Sequence, residues 1–219
     1  MKRFLLASLL GLGALTACSG VALAGPEYSL ALSESGYSTA SVGPSTSFAQ
    51  YTGNYGTFSI NSVSTLGVPT IGNAYSTSSI NTSSNSAGVL TVEATVTGLT
   101  SPLGTYYMLS GLTSNLLTGG ALSVAETTYL DPGNVAFGMT DKLASNTFTS
   151  IGNDNVLATT PALTGPYSLT EMFVVTATGT GSANSTISMT DVPEPGSLIL
   201  LGTGLLGLAA ILRRKRRHA

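Results

Sequence analysis

Residues 89–97 read VLTVEATVT, the clearest periodic pattern in the chain. Leu90, Val92, Ala94 and Val96 alternate with polar side chains, and Gly98 ends the pattern. Successive side chains of a strand point to opposite faces, so this period of two predicts a half-buried β-strand.

Similar short runs occur on both sides of this segment. They cover residues 28–32, 56–63, 106–109, 122–130, 135–139, 147–151, 169–178 and 185–189. Pieces such as Asp131-Pro132-Gly133-Asn134 separate them and have the chemistry of turns. The sequence therefore predicts an all-β body, an antiparallel β-sandwich or jelly-roll-like fold. A β-solenoid is the alternative, but no fixed repeat period supports it.

Two segments depart from the strand pattern. Residues 76–86 read STSSINTSSNS, with one apolar residue in eleven. This composition predicts a long exposed loop or a weak edge strand. Residues 114–120 are predicted to form a second loop, with Leu116 and Leu117 tucked against the body.

The end of the chain, residues 192–218, reads VPEPGSLILLGTGLLGLAAILRRKRRH. Pro193-Glu194-Pro195 predicts an extended spacer, because proline lacks an N–H and fixes φ. Residues 196–212 carry no charge and span about 25 Å as a helix, just under one hydrocarbon core. They are predicted to form a transmembrane helix. The cations that follow would stay cytoplasmic by the positive-inside rule; they are Arg213, Arg214, Lys215, Arg216 and Arg217.

This order of tripeptide, span and basic stop resembles the PEP-CTERM sorting signal of Gram-negative bacteria. The resemblance implies that an exosortase, a membrane-embedded cysteine protease, acts near Pro193-Glu194-Pro195 as the protein passes to the envelope or the extracellular matrix. The alternative is an ordinary C-terminal tail anchor in which the tripeptide is a chance linker.

The start of the chain has the features of a secretory signal peptide. Lys2-Arg3 precedes the apolar run 4–17, and Ala22-Leu23-Ala24 offers a small-x-small cleavage site. Export would then use the Sec machinery. Residues 15–18 also resemble the lipobox of bacterial lipoproteins, which would make Cys18 a lipidation site. We expect cleavage after Ala24, which divides the chain into a signal peptide (1–24), a β-rich body (25–191) and a sorting signal (192–219).

The body is acidic once both sorting segments are removed. Lys142 is its one cation, against nine carboxylates, giving −8 where the whole chain has −2. Such a charge predicts no binding to nucleic acid. The carboxylates are Glu27, Glu34, Glu93, Glu126, Asp131, Asp141, Asp154, Glu171 and Asp191.

The body contains neither cysteine nor histidine, since Cys18 and His218 are the only ones in the chain. Disulfides, zinc sites of the Cys/His type and Ser-His-Asp triads are therefore excluded from it. A Ser–Lys dyad would need Lys142, whose neighbour Ser145 stands in the reverse order of the SxxK pattern. The sequence predicts a non-enzymatic protein.

Carboxylates are the remaining candidates for metal binding and for acid–base catalysis. Asp131, Asp141 and Asp154 lie near Asn134, Asn153 and Asn155, a set of hard ligands that suits Ca²⁺ but also suits turn formation. Calcium is the one cofactor that we consider. Glycoside hydrolysis needs two facing acids, and no pair is marked in the sequence; Glu93, the best placed, falls on the predicted solvent face.

Aromatic side chains offer a second binding chemistry, because tyrosine rings stack on sugars. The candidates are Tyr51, Tyr55, Tyr75, Tyr106, Tyr107, Tyr129 and Tyr167. The same rings can equally be structural, with the hydroxyl pointing to water.

These features together predict an exported cell-surface or matrix protein with a structural or adhesive role among exopolysaccharides. Its precursor would be anchored in the inner membrane with the body on the periplasmic side. The alternative is a carbohydrate-binding module that uses surface tyrosines, with calcium as a candidate cofactor.

Overall fold

The structure is a computed structural model that describes residues 25–66, 75–119, 122–192 and 203–204. This part of the chain contains twelve β-strands. They are β1 (Glu27–Glu34), β2 (Ala40–Ser45), β3 (Phe48–Tyr55), β4 (Phe58–Leu66), β5 (Tyr75–Ser84), β6 (Gly88–Leu99), β7 (Tyr107–Gly119), β8 (Leu122–Asp131), β9 (Asp141–Phe148), β10 (Gly152–Thr159), β11 (Tyr167–Ala177) and β12 (Gly181–Val192).

The strands form two antiparallel six-stranded sheets. The first has the order β2-β1-β6-β11-β8-β9 and the second β10-β7-β12-β5-β4-β3. Their inner faces bury one continuous apolar cluster, as in a β-sandwich. The predicted all-β, antiparallel, sandwich or jelly-roll-like fold is confirmed.

Strand β6 contains the periodic segment 89–97 and lies inside the first sheet, between β1 and β11. Its four alternating apolar residues are buried, at most 2% exposed. Glu93 is half-buried on the outer face, as predicted. Thr95 is the exception on that face, because its hydroxyl donates to the Leu169 carbonyl at 3.1 Å, where the register between β11 and β6 shifts.

The serine-rich segment 76–86 is neither a loop nor an edge strand, so that prediction is wrong. Most of it belongs to β5, an interior strand between β12 and β4. Every second side chain points inward and is at most 3% exposed; these are Ser76, Ser78, Ile80, Thr82 and Ser84. The alternation was present, but hydroxyls occupy the inner positions, so an apolar pattern could not reveal it.

Residues 135–139 form a loop and not the predicted strand. Asp131 closes this loop, because its carboxylate accepts hydrogen bonds from the Gly133 N–H at 2.6 Å and the Thr140 hydroxyl at 2.7 Å. Asn134 and Phe137 have φ near 57° and 59°, the left-handed region, which non-glycine residues of an extended strand do not adopt.

Two further boundaries differ from the sequence prediction. Residues 147–151 include only the end of β9 and then the turn to β10. Most of the predicted loop 114–120 is strand, because β7 continues to Gly119. Leu117 packs against the core, while Leu116 is 38% exposed.

Strand directions define two ends of the sandwich. At one end β12 finishes at Val192, beside Tyr107, and the loops 100–106, 132–140 and 160–166 connect the neighbouring strands. We call this the exit end. The opposite end, with the turns 85–87, 149–151 and 178–180, is the far end.

Candidate functional site

The chain leaves the body through β12, an interior strand of the second sheet. Asp191 pairs with Met108 and Val192 with Tyr107, and Asp191 is only 6% exposed. The sheet therefore continues to the residue directly before Pro193.

The predicted sorting residues themselves lie outside the described residues. This applies to Pro193, Glu194 and Pro195, to the basic residues 213–217, and to the signal-peptide positions Ala22, Ala24 and Cys18. Of the predicted span 196–212 only Thr203 and Gly204 are described, and both are helical and exposed. Among all described residues, none belongs to a helix long and apolar enough to cross a membrane.

The body also begins at the exit end. Glu27, the first residue of β1, pairs with Thr97 near the end of β6, whose last residue, Leu99, pairs with Tyr167. Both the chain entering the body and the chain leaving it therefore emerge at one end of the sandwich.

Loops 100–106 and 160–166 are joined to each other at the exit end. Gly104 and Leu163 exchange two backbone hydrogen bonds, of 2.8 and 3.0 Å. The Tyr167 hydroxyl donates to the Ser101 carbonyl at 2.9 Å. Leu103, between these attachments, is 52% exposed.

Loop 132–140 is held at the same end by hydrogen bonds from β6 and β11. The Gly98 N–H donates to Asn134 Oδ1 at 2.7 Å, and the Ser168 hydroxyl donates to the Val135 carbonyl at 2.7 Å. Val135 is nevertheless 56% exposed and Met139 39%. The exit end thus presents apolar side chains on ordered loops.

The carboxylates are distributed unevenly between surface and interior. Five of the nine are at most 7% exposed; they are Glu34, Glu126, Asp131, Glu171 and Asp191. Composition therefore overstates the acidity of the surface, which carries Glu27, Glu93, Asp141 and Asp154 in half-buried positions.

The predicted calcium ligands do not meet. Asp131 closes its own loop, and Asp154 on β10 accepts a hydrogen bond from the Asn146 side chain at 3.2 Å. Asp141 begins β9. Within the ranges that the structure describes, no three Asp, Glu, His or Cys side chains are grouped to hold a metal ion. Asp131 and Asn134 are engaged in turn formation.

Two glutamates lie close to each other inside the sandwich, although the sequence analysis did not identify them as a pair. Glu126 on β8 is paired in register with Phe173, and Glu171 on β11 with Thr128, so the two side chains are diagonal neighbours on one face. That face points inward, and both residues are 0% exposed.

Polar groups of the second sheet face this buried pair. Glu126 Oε2 accepts a hydrogen bond from the Thr113 N–H at 2.8 Å, and the Ser185 hydroxyl lies near the same carboxyl. The hydroxyls of Ser76 and Ser78 lie near Glu171, although their placement falls short of standard hydrogen-bond geometry. The serines of β5 thus line the interior beside Glu171.

Burial favours the protonated form of both carboxyls. It raises the pKa of Glu126 to about 7, against the opposing effect of Ser185 and Thr113. Burial, with a smaller contribution from the charge of Glu126, raises the pKa of Glu171 to about 8, despite the nearby serine hydroxyls. The single cation of the body, Lys142, is exposed on β9 and offers no compensation.

Enclosure distinguishes this pair from a hydrolytic one, since a glycoside must reach both acids. A signal for the pair was present in the sequence. In β8, Val124, Glu126 and Leu130 share one face, and in β11 Glu171 shares a face with Phe173 and Val175, so strict alternation places both glutamates inside.

The predicted tyrosines divide between the two ends and do not form one face. Tyr167 is buried and lies 6.5 Å from the half-buried ring of Tyr106 at the exit end. Tyr55 is buried towards the far end, 6.5 Å from the half-buried Tyr51. Tyr107 is 45% exposed on the outer face of β7.

The remaining predicted tyrosines contribute little to either group. Tyr129 is half-buried on the outer face of β8. Tyr75 begins β5, and its side chain is not among those that the structure describes. Sequence reasoning missed Tyr37, which is 51% exposed and lies 6.4 Å from Tyr55. The hydroxyl of Tyr55 donates to the Ser38 carbonyl at 3.0 Å, which fixes the ring beneath Tyr37.

An open groove of about 650 Å³ lies at the far end. Two leucines and five hydroxyl-bearing side chains line it, and none of these residues is aromatic or charged.

Comparison with known proteins identifies one feature. Residues 191–217 match the family model of the PEP-CTERM protein-sorting motif. The motif implies an exported, membrane-associated precursor that an exosortase-type enzyme processes for the cell envelope. The match begins at Asp191, so it includes the last two residues of β12.

No curated protein sequence matches the chain. Among solved structures, the carbohydrate-binding module TmCBM61 in complex with beta-1,4-galactotriose is similar with a TM-score of 0.32 and 8% identity, covering 73% of this chain and 86% of that chain. A chain of the infectious bursal disease virus Gx strain has a TM-score of 0.32 and 11% identity, covering 86% of this chain and 54% of that chain.

Proposed function

We propose that this protein is a non-enzymatic component of the cell surface or extracellular matrix, with a structural or adhesive role among exopolysaccharides. It would reach its destination as an anchored precursor that an exosortase-type enzyme cuts near Pro193-Glu194-Pro195. The observation that carries the proposal is the PEP-CTERM motif at residues 191–217, directly continuous with β12.

The layout of the body supports this route. A signal peptide at residues 1–24 would lead the chain through the Sec machinery, and the span 196–212 would hold it in the inner membrane with the body in the periplasm. Both ends of the body emerge at the exit end, so one orientation satisfies both attachments.

The disposition of polar side chains supports a role without catalysis. The most enclosed carboxylates face serines or close turns, and the body has neither cysteine nor histidine. We therefore propose no cofactor for the body.

Processing can be tested by changing the tripeptide. Pro193→Ala together with Pro195→Ala, or deletion of the exosortase gene, should leave full-length protein in the membrane fraction, because the recognition element or the enzyme is gone. The measurement is the intact mass of the protein in membrane and exported fractions. Pro166→Ala, in a loop of the exit end, is the matched control and should be processed normally. An unchanged mature mass in both the tripeptide variant and the deletion strain would refute the proposal.

A carbohydrate-binding module is the second candidate, and Tyr37 is the observation that favours it. Its ring is half exposed and rests against Tyr55, which is suited to stacking on a sugar. The exported protein should then bind a glycan saturably in a pull-down, and Tyr37→Ala should abolish binding while Tyr129→Ala preserves it. A chelator arm tests whether calcium contributes. Equal binding by the two variants would exclude this site.

A further inference from the structure

We propose that the exit end is a membrane-contact surface, and that Leu103, Val135 and Met139 rest in the lipid headgroup region while the precursor is anchored. The inference rests on the proposed anchor at residues 196–212. It adds an orientation and a set of contacts that the sorting motif does not specify.

The first observation is the short connection between the body and the predicted span. Val192 is still part of the sheet, and three residues separate it from the predicted span. Three extended residues reach about 10 Å. The exit end is therefore held against the lipid surface, whereas β12, twelve residues long, places the far end about 40 Å away.

The second observation is the lack of charge in the three exit-end loops. Loops 100–106, 132–140 and 160–166 contain no charged residue. Asp131 and Asp191, which belong to the same end, are at most 7% exposed. Glu27, Asp141 and Lys142 stand at the same end, at the starts of β1 and β9, and are not buried. An acidic body is repelled by anionic lipids, but the three loops themselves present an uncharged, partly apolar surface to them.

The third observation is that hydrogen bonds fix the conformation of loop 132–140. Asn134 and Phe137 are the only described non-glycine residues with positive φ, and they flank the exposed Val135. Hydrogen bonds from Gly98 and Ser168 hold this conformation. Residues in uncommon backbone conformations persist where the surroundings impose them, so Val135 is presented outward by a fixed loop.

Exposed apolar side chains also occur at the far end, where Ile151 is 66% exposed. Ile151 is β-branched like Val135 and similarly exposed, but the anchor does not hold it near lipid. It is therefore a matched control.

The test uses the full-length precursor with Cys18→Ser, reconstituted into vesicles of phosphatidylethanolamine and phosphatidylglycerol. Val135→Cys, Leu103→Cys and Ile151→Cys each receive one environment-sensitive fluorophore. We expect the labels at 135 and 103 to shift to shorter emission wavelength and to be quenched by lipids with a nitroxide on the headgroup. The label at 151 should show neither change.

The outcomes separate this inference from the proposed function. If the protein stays in the vesicles after an alkaline wash but the labels at 135 and 103 behave like that at 151, the contact surface is wrong and the anchor stands. If the protein leaves the vesicles in that wash, the proposed anchor is wrong and the contact surface with it.

Discussion

Glu171 shows how a single side chain can determine the response of the body to pH. It is completely enclosed, its pKa is raised by burial to about 8, and its nearest acid, Glu126, has a pKa raised to about 7. Two further buried acids lie on strands of this neighbourhood, Asp131 at the end of β8 and Asp191 near the end of β12, both at the exit end. The effect of desolvation on the two pKa values thus outweighs that of the neighbouring hydroxyls. The two carboxyls can be buried in one core because they are protonated there.

We predict that the free energy of unfolding decreases as the pH rises from about 4.5 to about 8. In this window the folded body retains protons that the unfolded chain has released. Raising the pH therefore stabilises the unfolded state relative to the folded state. Glu171→Gln should flatten this dependence and stabilise the body above pH 8 by on the order of 1–3 kcal/mol. Urea unfolding at several pH values provides the measurement.

Glu27→Gln is the control for this series, since Glu27 is half-buried at the start of β1. It should leave the slope between these pH values unchanged. If stability instead rises with pH over this window in the unmodified body, the two glutamates are ionised in the fold and the argument fails.

Strand β5 shows how an element can be interior without being apolar. Four of its five inward positions carry hydroxyls, and two of these, on Ser76 and Ser78, lie near Glu171. The Ser84 hydroxyl, for example, donates to the Gly179 carbonyl at 2.7 Å. The strand is fixed by its ladders to β4 and β12 and by Ile80, its one large inward side chain.

We predict that Ile80→Ala destabilises the body by about 2–5 kcal/mol, because Ile80 is 0% exposed and truncation leaves a cavity. Ile151→Ala, at a side chain that is 66% exposed, should change stability by less than about 0.5 kcal/mol. Thermal and urea unfolding of both variants provide the comparison. Equal and small effects would place residues 76–86 on the surface, as the composition alone had indicated.

For the whole molecule, alternation of apolar residues was sufficient to predict the sandwich. It located β6 almost to the residue and indicated the inner halves of β8 and β11. It failed where the inward residues are polar, as in β5, and where an apolar run is bent by positive φ, as at Asn134 and Phe137. Those features depend on partners such as Glu171 and Gly98 that are distant in sequence.

The candidate site divides in the same way. The sorting motif was predictable because its three elements are consecutive in sequence, and the family match confirms it. The pairing of Glu126 with Glu171, and the meeting of three uncharged loops beside Val192, depend on strand order. Only the topology of the two sheets reveals them.

The interior position of β12 also bears on mechanical load. A pull on the proposed anchor would act along the axis of β12, which is bonded on one side to β5 and on the other to β7. Both ladders are then loaded in shear, with their hydrogen bonds sharing the force, and neither can be opened one bond at a time from a free edge. A body tethered in this way is suited to withstand traction from the surface to which it is attached.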